Sequence, residues 1–130
     1  MREILFRGKR TDNGEWVYGF PFAIHAGLVV EGIETWDGDR HRIDQSTVGQ
    51  YTGLIDKNGK RIFEGDILLP PGEDAANLRL VVAFERGCWT LRVPGWGWLF
   101  DTPLYEFGGE VYLKLGNIHD NPEMLEVSSQ

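Results

Sequence analysis

The sequence predicts a single, mainly β domain built as a small barrel or roll. The 17 glycines and six prolines are typical of a chain that turns often. Short alternating segments separated by turn signals recur about every 8–12 residues, as in small all-β domains. Only the segment after Asn121 carries good helix signals. A length of 130 residues fits one domain, 1–130, with its own hydrophobic core.

Residues 1–45 are predicted to form an N-terminal hairpin region. Alternating apolar residues indicate strands, and Asn-Gly or Asp-Gly pairs accept the positive φ angles of tight turns. In chain order we expect a strand over Glu3–Arg7, a turn at Asp12–Gly14 and a returning strand over Trp16–Phe20. Phe22–Val30 either extends the sheet or is interrupted by another turn at His25–Gly27, and Asp37–Asp39 forms a polar loop or a hairpin tip.

Residues 46–127 are predicted to form the barrel core and a short C-terminal helix. The elements are a hairpin turn at Asp56–Lys60, a corner at Glu64–Asp66, a buried strand over Ile67–Leu69, a loop over Pro70–Asn77, paired strands over Leu78–Glu85 and Cys88–Val93, and a last strand over Val111–Ile118. The helix begins at Asn121-Pro122-Glu123, where Asn can cap free N–H groups, Pro suits the first helical position and Glu favours the positive end of the helix dipole. It is expected to end near Val127.

The charge distribution argues against nucleic acid as the main partner. The chain carries −7, and its first ten residues hold four cations and one carboxylate, so the remaining residues carry −10. Such an acidic body repels phosphate backbones. The single cysteine, Cys88, indicates a reducing compartment. No apolar run approaches the roughly 20 residues that cross a bilayer, and the N terminus has no signal-peptide pattern. We therefore expect a cytoplasmic protein that does not bind membranes.

Several motifs occur in a specific order along the chain. They are Met1–Arg7 with Gly14–Gly19, then Gln50–Leu54, Asp56–Lys60 and Ile62–Ile67, and finally Gly116–Glu123. Together they resemble the YopX family of bacteriophage and prophage proteins. The resemblance implies an SH3-like β-barrel with added strands and a phage or prophage origin. The family pattern contains no catalytic residues to assign to this chain.

The central motif is interpreted as structural. Its members are Gly53, Asp56, Asn58, Gly59, Glu64, Gly65 and Asp66, joined near the C terminus by Asn121 and Pro122. Asp56, Glu64 and Asp66 could instead serve a metal-dependent hydrolase or nuclease. A turn or corner already accounts for each of these carboxylates, and no calcium-loop spacing is present.

No catalytic residue, metal site or cofactor is predicted. His25, His41, His119 and Cys88 do not stand at zinc-ligand spacings. His41, between two arginines, is interpreted as part of a solvated loop. Cys88 lacks a recognisable base and is interpreted as a small core residue.

Aromatic residues give the candidate binding surface. Trp89, Trp96, Trp98 and Phe100 belong to a set that also includes Tyr105 and Phe107. Aromatics on a sheet can anchor a protein or stack bases, although a small barrel also needs large side chains in its interior. The acidic surroundings favour a protein.

A second candidate surface is basic. Arg2, Arg7, Lys9 and Arg10, with Lys57, Lys60 and Arg61, could face phosphates or could simply be solvated charges at hairpin tips. The leading hypothesis is thus a non-enzymatic phage accessory protein that binds a host or phage protein. Open strand edges also favour homo-oligomers. Nucleic-acid binding is the alternative, and a metal-dependent hydrolase or nuclease ranks last.

Overall fold

The computed structural model describes residues 4–23, 30–72, 78–85, 87–94, 102–103 and 109–125. The chain divides into two compact units, Met1–Tyr51 and Thr52–Gln130, which we call the N-unit and the C-unit. The regular structure of the described residues is almost entirely antiparallel strand. The prediction of a mainly β protein is therefore confirmed.

The N-unit is a ring of paired strands. Its strands are β1 (Phe6–Arg10), β2 (Trp16–Ala23), β3 (Val30–Glu34) and the first part of β4 (Arg40–Ile55). They follow the order β1-β2-β3-β4, and β1 pairs with β4 as well, so the pairings close on themselves. Closure leaves β1 and β4 paired with each other instead of presenting free edges.

An irregularity bends β4 where it pairs with β1. Arg7 lies opposite Gly49, whereas Lys9 lies opposite Asp44, so β4 contains extra residues between these positions. The Thr47 hydroxyl accepts a hydrogen bond from the Lys9 backbone N–H at 2.8 Å and donates one to the Asp44 carbonyl at 2.5 Å. One side chain thereby satisfies backbone groups that the bulge removes from the regular ladder.

Among its described residues, the C-unit contains the end of β4 and six further strands. These are β5 (Arg61–Phe63), β6 (Asp66–Leu69), β7 (Leu80–Glu85), β8 (Cys88–Arg92), β9 (Thr102–Pro103) and β10 (Leu113–Asn117). β5 neighbours β4, and the others form an antiparallel sheet in the order β10-β6-β7-β8-β9. Its buried core cluster consists of Ile62, Leu68, Leu80, Val82, Trp89, Leu91 and Tyr112, with Leu54 and Val93 packed against it.

Tight hairpins are where the sequence expectations and the structure agree best. β7 and β8 pair with Glu85 opposite Cys88, as expected for strands joined at Arg86-Gly87. The chain also turns between β4 and β5, where Asp56 accepts a backbone hydrogen bond from Gly59 at 3.0 Å and donates one to Lys60 at 2.8 Å.

The long strand β4 differs from the sequence prediction for this region. The interpretation of His41 as part of a solvated loop is wrong, because β4 begins at Arg40 and His41 pairs with Ile33 of β3. The first eight residues of β4, RHRIDQST, include only one apolar residue, Ile43. Because strand prediction relies on apolar alternation, this segment carries almost no strand signal.

The C-terminal α-helix is also not observed within the described residues. Pro122–Leu125 form a single turn of 3-10 helix. The Asn121 side chain does not cap that turn but accepts a hydrogen bond from the Asn117 backbone N–H at 3.2 Å. The Asn117 carboxamide in turn accepts from His119 and Asp120, both at 2.9 Å. Local side-chain bonds to the backbone thus replace helical capping here.

Candidate functional site: an aromatic face and an arginine cleft on the N-unit

One side of β2 carries four aromatic residues at every second position. Side chains alternate across a strand, so residues two positions apart point to the same face. The four aromatic residues are Trp16, Tyr18, Phe20 and Phe22. Tyr18 and Phe20 are exposed, whereas Trp16 and Phe22 are partly buried. With Trp36, described next, these residues are called the aromatic face.

Trp36 is the most exposed large apolar side chain among the described residues, at 70%. It stands at the hairpin tip between β3 and β4, and its ring meets Phe20 edge to face with 4.8 Å between ring centres. Thr35 closes the tip, because its N–H donates to the Asp39 carbonyl at 2.8 Å and its hydroxyl donates to the Asp37 carboxylate. The hydrogen bond from Thr35 lowers the pKa of Asp37. The tip is thus ordered by its own polar groups, although Trp36 itself is largely in solvent.

A glycine makes room for Phe22 at the other end of the face. Gly32 of β3 is the cross-strand partner of Phe22. A Cβ atom at Gly32 would lie 2.4 Å from Cζ of Phe22 and 2.3 Å from the His41 carbonyl oxygen. Both distances are far below van der Waals contact, so a side chain at this position would displace the Phe22 ring.

Cations accompany the aromatic face. The guanidinium carbon of Arg7 lies 4.5 Å from the centre of the Trp16 ring, and Nζ of Lys9 lies 5.5 Å from it. Cζ of Arg40 lies 5.0 Å from the centre of the Phe22 ring. All three distances fall in the range of cation–π attraction. The face therefore combines apolar rings with positive charge at both ends.

A surface cleft of about 300 Å³ adjoins these cations. It is lined by Arg10, Thr11, Asp12, Arg40, His41 and Arg42, and we call it the arginine cleft. It exists because β1 and β4 are neighbours: Arg10 lies opposite Ile43, and the Thr11 N–H donates to the Arg42 carbonyl at 3.1 Å.

Each arginine of the cleft has a carboxylate neighbour. Arg10 donates from Nε and Nη2 to the two carboxylate oxygens of Asp12 at 2.9 and 2.6 Å. This hydrogen-bonded pair raises the pKa of Arg10 and lowers that of Asp12. Nε of Arg40 donates to Glu34 at 2.8 Å, and Nη2 of Arg42 lies 3.3 Å from Glu31. The local positive charge is therefore largely balanced.

The predicted basic patch is only partly available on the surface. Arg7 is 2% exposed and covered on one side by Trp16, so its guanidinium is not placed to meet a phosphate. Arg10 is engaged by Asp12, and Arg2 lies outside the described residues. The structure instead brings Arg10 together with Arg40 and Arg42, which the sequence analysis did not include in the patch.

Of the predicted aromatic binding residues, the structure describes Trp89. Trp89 is 4% exposed and belongs to the C-unit core, so its assignment to a binding surface is corrected to a packing role. Trp96, Trp98 and Phe100 lie outside the described residues.

The sequence of β2 contains a pattern from which the aromatic face could be predicted. The segment WVYGFPF has an aromatic residue at every second position, and period-two alternation assigns such residues to one face. The sequence prediction for this region is only a returning strand over Trp16–Phe20, with no binding role. The exposure of Trp36, by contrast, depends on the hairpin around it and had no comparable signal.

Asp56 of the central motif links its turn to β10. Oδ1 accepts the backbone N–H groups of Asn58 at 2.9 Å and Lys60 at 2.8 Å, while Oδ2 accepts that of Lys114 at 2.9 Å. Burial is the largest single influence on its pKa and raises it. The three backbone donors, together with the charge of Lys60, outweigh that effect and hold the pKa of Asp56 below its usual value.

Asp66 completes the corner after β5. Its Oδ2 accepts the backbone N–H of Phe63 at 2.7 Å and lies 3.1 Å from Nζ of Lys114. The backbone of Gly65 also connects the corner to β7 through the Val82 carbonyl at 2.8 Å. Lys114, which sequence analysis did not single out, therefore joins both buried carboxylates of the motif.

Three glycines of the motif have backbone roles. Gly53, Gly59 and Gly65 adopt φ angles of 91°, 82° and 90°, which side chains strongly disfavour. Across the described ranges, His, Cys, Asp and Glu side chains form no group of three or more suited to a metal ion. Those same ranges contain no helix long and apolar enough to cross a membrane.

Comparisons with known proteins give one matching family model and a similar solved structure. The family model described as YopX protein matches residues 5–126. A solved structure, protein EF1440 from Enterococcus faecalis, is similar to the chain with a TM-score of 0.63 and 26% sequence identity. That alignment covers 97% of this chain and 100% of EF1440. No curated protein matches the chain.

Proposed function

The chain belongs to the YopX family, and we propose that it acts without catalysis, by binding a protein partner through the aromatic face. The observation that carries this proposal is the exposure of Trp36 at 70%, next to Phe20 on a strand with three further aromatic residues. Large apolar rings exposed together on an ordered surface mark interaction sites more often than isolated exposed residues do.

The chemistry of the face favours protein over other partners. Trp, Tyr and Arg are the residue types that dominate the energetics of protein interfaces, and Trp36, Tyr18 and Arg40 supply all three. Because Arg40 is paired with Glu34, the surface offers no strong net positive charge to a nucleic-acid backbone. A protein can use both the rings and the balanced charges.

The proposed setting follows from the family. We propose a phage- or prophage-encoded accessory protein that acts in the bacterial cytoplasm on a host or phage protein. An SH3-like barrel and self-association into homo-oligomers are further parts of this proposal. The antiparallel sheets and the family membership support the barrel.

The test compares two aromatic substitutions on different units. Immobilised wild-type protein, Trp36→Ala and Phe84→Ala are each used to capture proteins from bacterial lysate, with mass spectrometry as the readout. Phe84 is an exposed aromatic residue of the C-unit and serves as the matched control. We expect a partner that is retained by wild type and Phe84→Ala and lost with Trp36→Ala. Equal capture by all three proteins would contradict the proposal.

Nucleic-acid binding is kept as a second candidate because cations flank the same rings. Lys9 lies beside Trp16 and Arg40 beside Phe22, and single-strand binding surfaces combine stacking rings with basic residues. Gel shifts at low salt with single- and double-stranded probes test it, since phosphate contacts should weaken steeply as salt rises. The absence of any shift at micromolar protein would eliminate this candidate.

A further inference from the structure

We propose that the arginine cleft receives carboxylate side chains from an acidic segment of the protein partner. This inference rests on the proposed function and specifies which chemistry the partner must present beside the aromatic face. Arg40 belongs to both surfaces, because its guanidinium contacts the Phe22 ring and also lines the cleft. A segment that covers the rings would therefore reach the cleft directly.

Arg40 and Arg42 retain donors for a ligand. Their side chains are 65% and 76% exposed. A guanidinium has five N–H donors in a planar fork that matches a carboxylate. The observed pairing with Glu34 uses Nε of Arg40, and the contact with Glu31 involves one terminal nitrogen of Arg42. Exposed ion pairs of this kind contribute little free energy, so an incoming carboxylate can replace or extend them at small cost.

Separate carboxylates fit the cleft better than a chain of phosphates. The forked contact between Arg10 and Asp12 already shows a carboxylate held by two parallel hydrogen bonds in the cleft wall. Asp12, Glu31 and Glu34 also stand beside the arginines. A continuous run of phosphate charges would meet these carboxylates, whereas the spaced side chains of a peptide can approach the guanidinium groups individually.

The overall negative charge of the protein does not prevent this contact. At physiological ionic strength exposed charges are screened beyond about 8 Å. The local arrangement of the three guanidinium groups therefore matters more to an acidic segment than the net charge of −7. The same screening predicts that the contact weakens as salt concentration rises.

The experiment measures the fluorescence anisotropy of a labelled hexaglutamate peptide with the protein at physiological ionic strength, where the net negative charge is screened. The test variant is Arg40→Ala/Arg42→Ala. The control is Lys57→Ala/Lys60→Ala, which removes the same charge from the exposed turn of the C-unit. We expect binding of hexaglutamate to weaken at least about tenfold in the arginine variant, since charge-assisted hydrogen bonds are lost, and to change less than about twofold in the lysine variant.

A third variant and a second probe make the test more specific. Arg40→Lys/Arg42→Lys keeps the charge but loses the planar fork, and we expect intermediate binding from it. Three results would overturn the inference: no binding of hexaglutamate to wild type, an equal loss in the arginine and lysine variants, or arginine-dependent binding of a 12-nucleotide oligothymidylate in place of hexaglutamate. If Trp36-dependent capture persists in any of these cases, the proposed function stands and only the inference about the cleft fails.

Discussion

Each unit contains a phenylalanine and a tryptophan that meet edge to face, and the two pairs are used in opposite ways. The ring centres are 4.8 Å apart both in the Phe20–Trp36 pair of the N-unit and in the Phe84–Trp89 pair of the C-unit. Trp36 is 70% exposed, whereas Trp89 is 4% exposed. The ring geometry is thus shared, and only the surroundings decide whether a tryptophan stabilises a core or is available to a partner.

The same contrast holds for the carboxylates. Asp56 and Asp66 of the C-unit are buried and accept hydrogen bonds from backbone N–H groups. Asp12 and Glu34 of the N-unit lie at the surface and pair with arginines. In these pairs the C-unit encloses Trp89 and the two aspartates, whereas the N-unit exposes Trp36 and its paired carboxylates. Substitutions should therefore affect stability in the C-unit and binding in the N-unit.

Trp89→Ala should produce the largest effect. The side chain belongs to the buried cluster of the C-unit, and removal of a buried tryptophan costs about 3–5 kcal/mol through lost transfer energy and the cavity left behind. Urea denaturation followed by far-UV circular dichroism measures the change. A loss of unfolding free energy below about 1 kcal/mol would mean that Trp89 does not stabilise the core. The contrast with the exposed Trp36 would then fail.

Asp66→Ala should have the second-largest effect and lower the free energy of unfolding by about 2–3 kcal/mol. It leaves the Phe63 N–H without its acceptor and removes the carboxylate beside Nζ of Lys114. Glu34→Ala is the matched control, because its pair with Arg40 is exposed and is expected to contribute less than about 1 kcal/mol. Equal losses of stability in the two variants would contradict the proposed difference between the units.

The sequence predicted local features better than the placement of side chains from distant segments. The Asp56–Lys60 turn and the hairpin between β7 and β8 follow from nearby Gly and Asn residues, so a short window was sufficient. β4 was missed because its first half has almost no apolar alternation. The arginine cleft joins Arg10 of β1 to Arg40 and Arg42 of β4, and only the pairing of those strands brings them together. The bond from Lys114 to Asp56 likewise crosses many residues of sequence.

Asp56→Asn should reduce stability in a pH-dependent manner. One oxygen becomes an NH₂ group, so at least one of the backbone N–H groups of Asn58, Lys60 and Lys114 faces a donor. We expect a loss of about 1–3 kcal/mol at pH 7.

The direction of the pH effect follows from the lowered pKa of Asp56 in the folded protein. The unfolded chain takes up a proton near the ordinary pKa of about 3.9, before the folded protein does. The stabilisation is therefore complete above that value and is lost as pH falls through the lower folded pKa. Urea denaturation of both proteins at pH 7 and at a series of values below 4 should show their difference shrinking with acid. A constant difference would show that the charge of Asp56 is not what stabilises the turn.

Trp36→Ala should have the smallest effect and lower the free energy of unfolding by about 1 kcal/mol or less. The ring is mostly in water, so its removal exposes little new apolar area, and the remaining cost is the edge-to-face contact with Phe20. The hairpin tip keeps its own hydrogen bonds between Thr35 and Asp39, which do not involve the Trp36 side chain. Urea denaturation beside Trp89→Ala makes the comparison direct, because both variants remove a tryptophan that meets a phenylalanine. If Trp36→Ala destabilised the protein as much as Trp89→Ala, its exposed ring would have a structural role and the aromatic face would lose its main support as a binding surface.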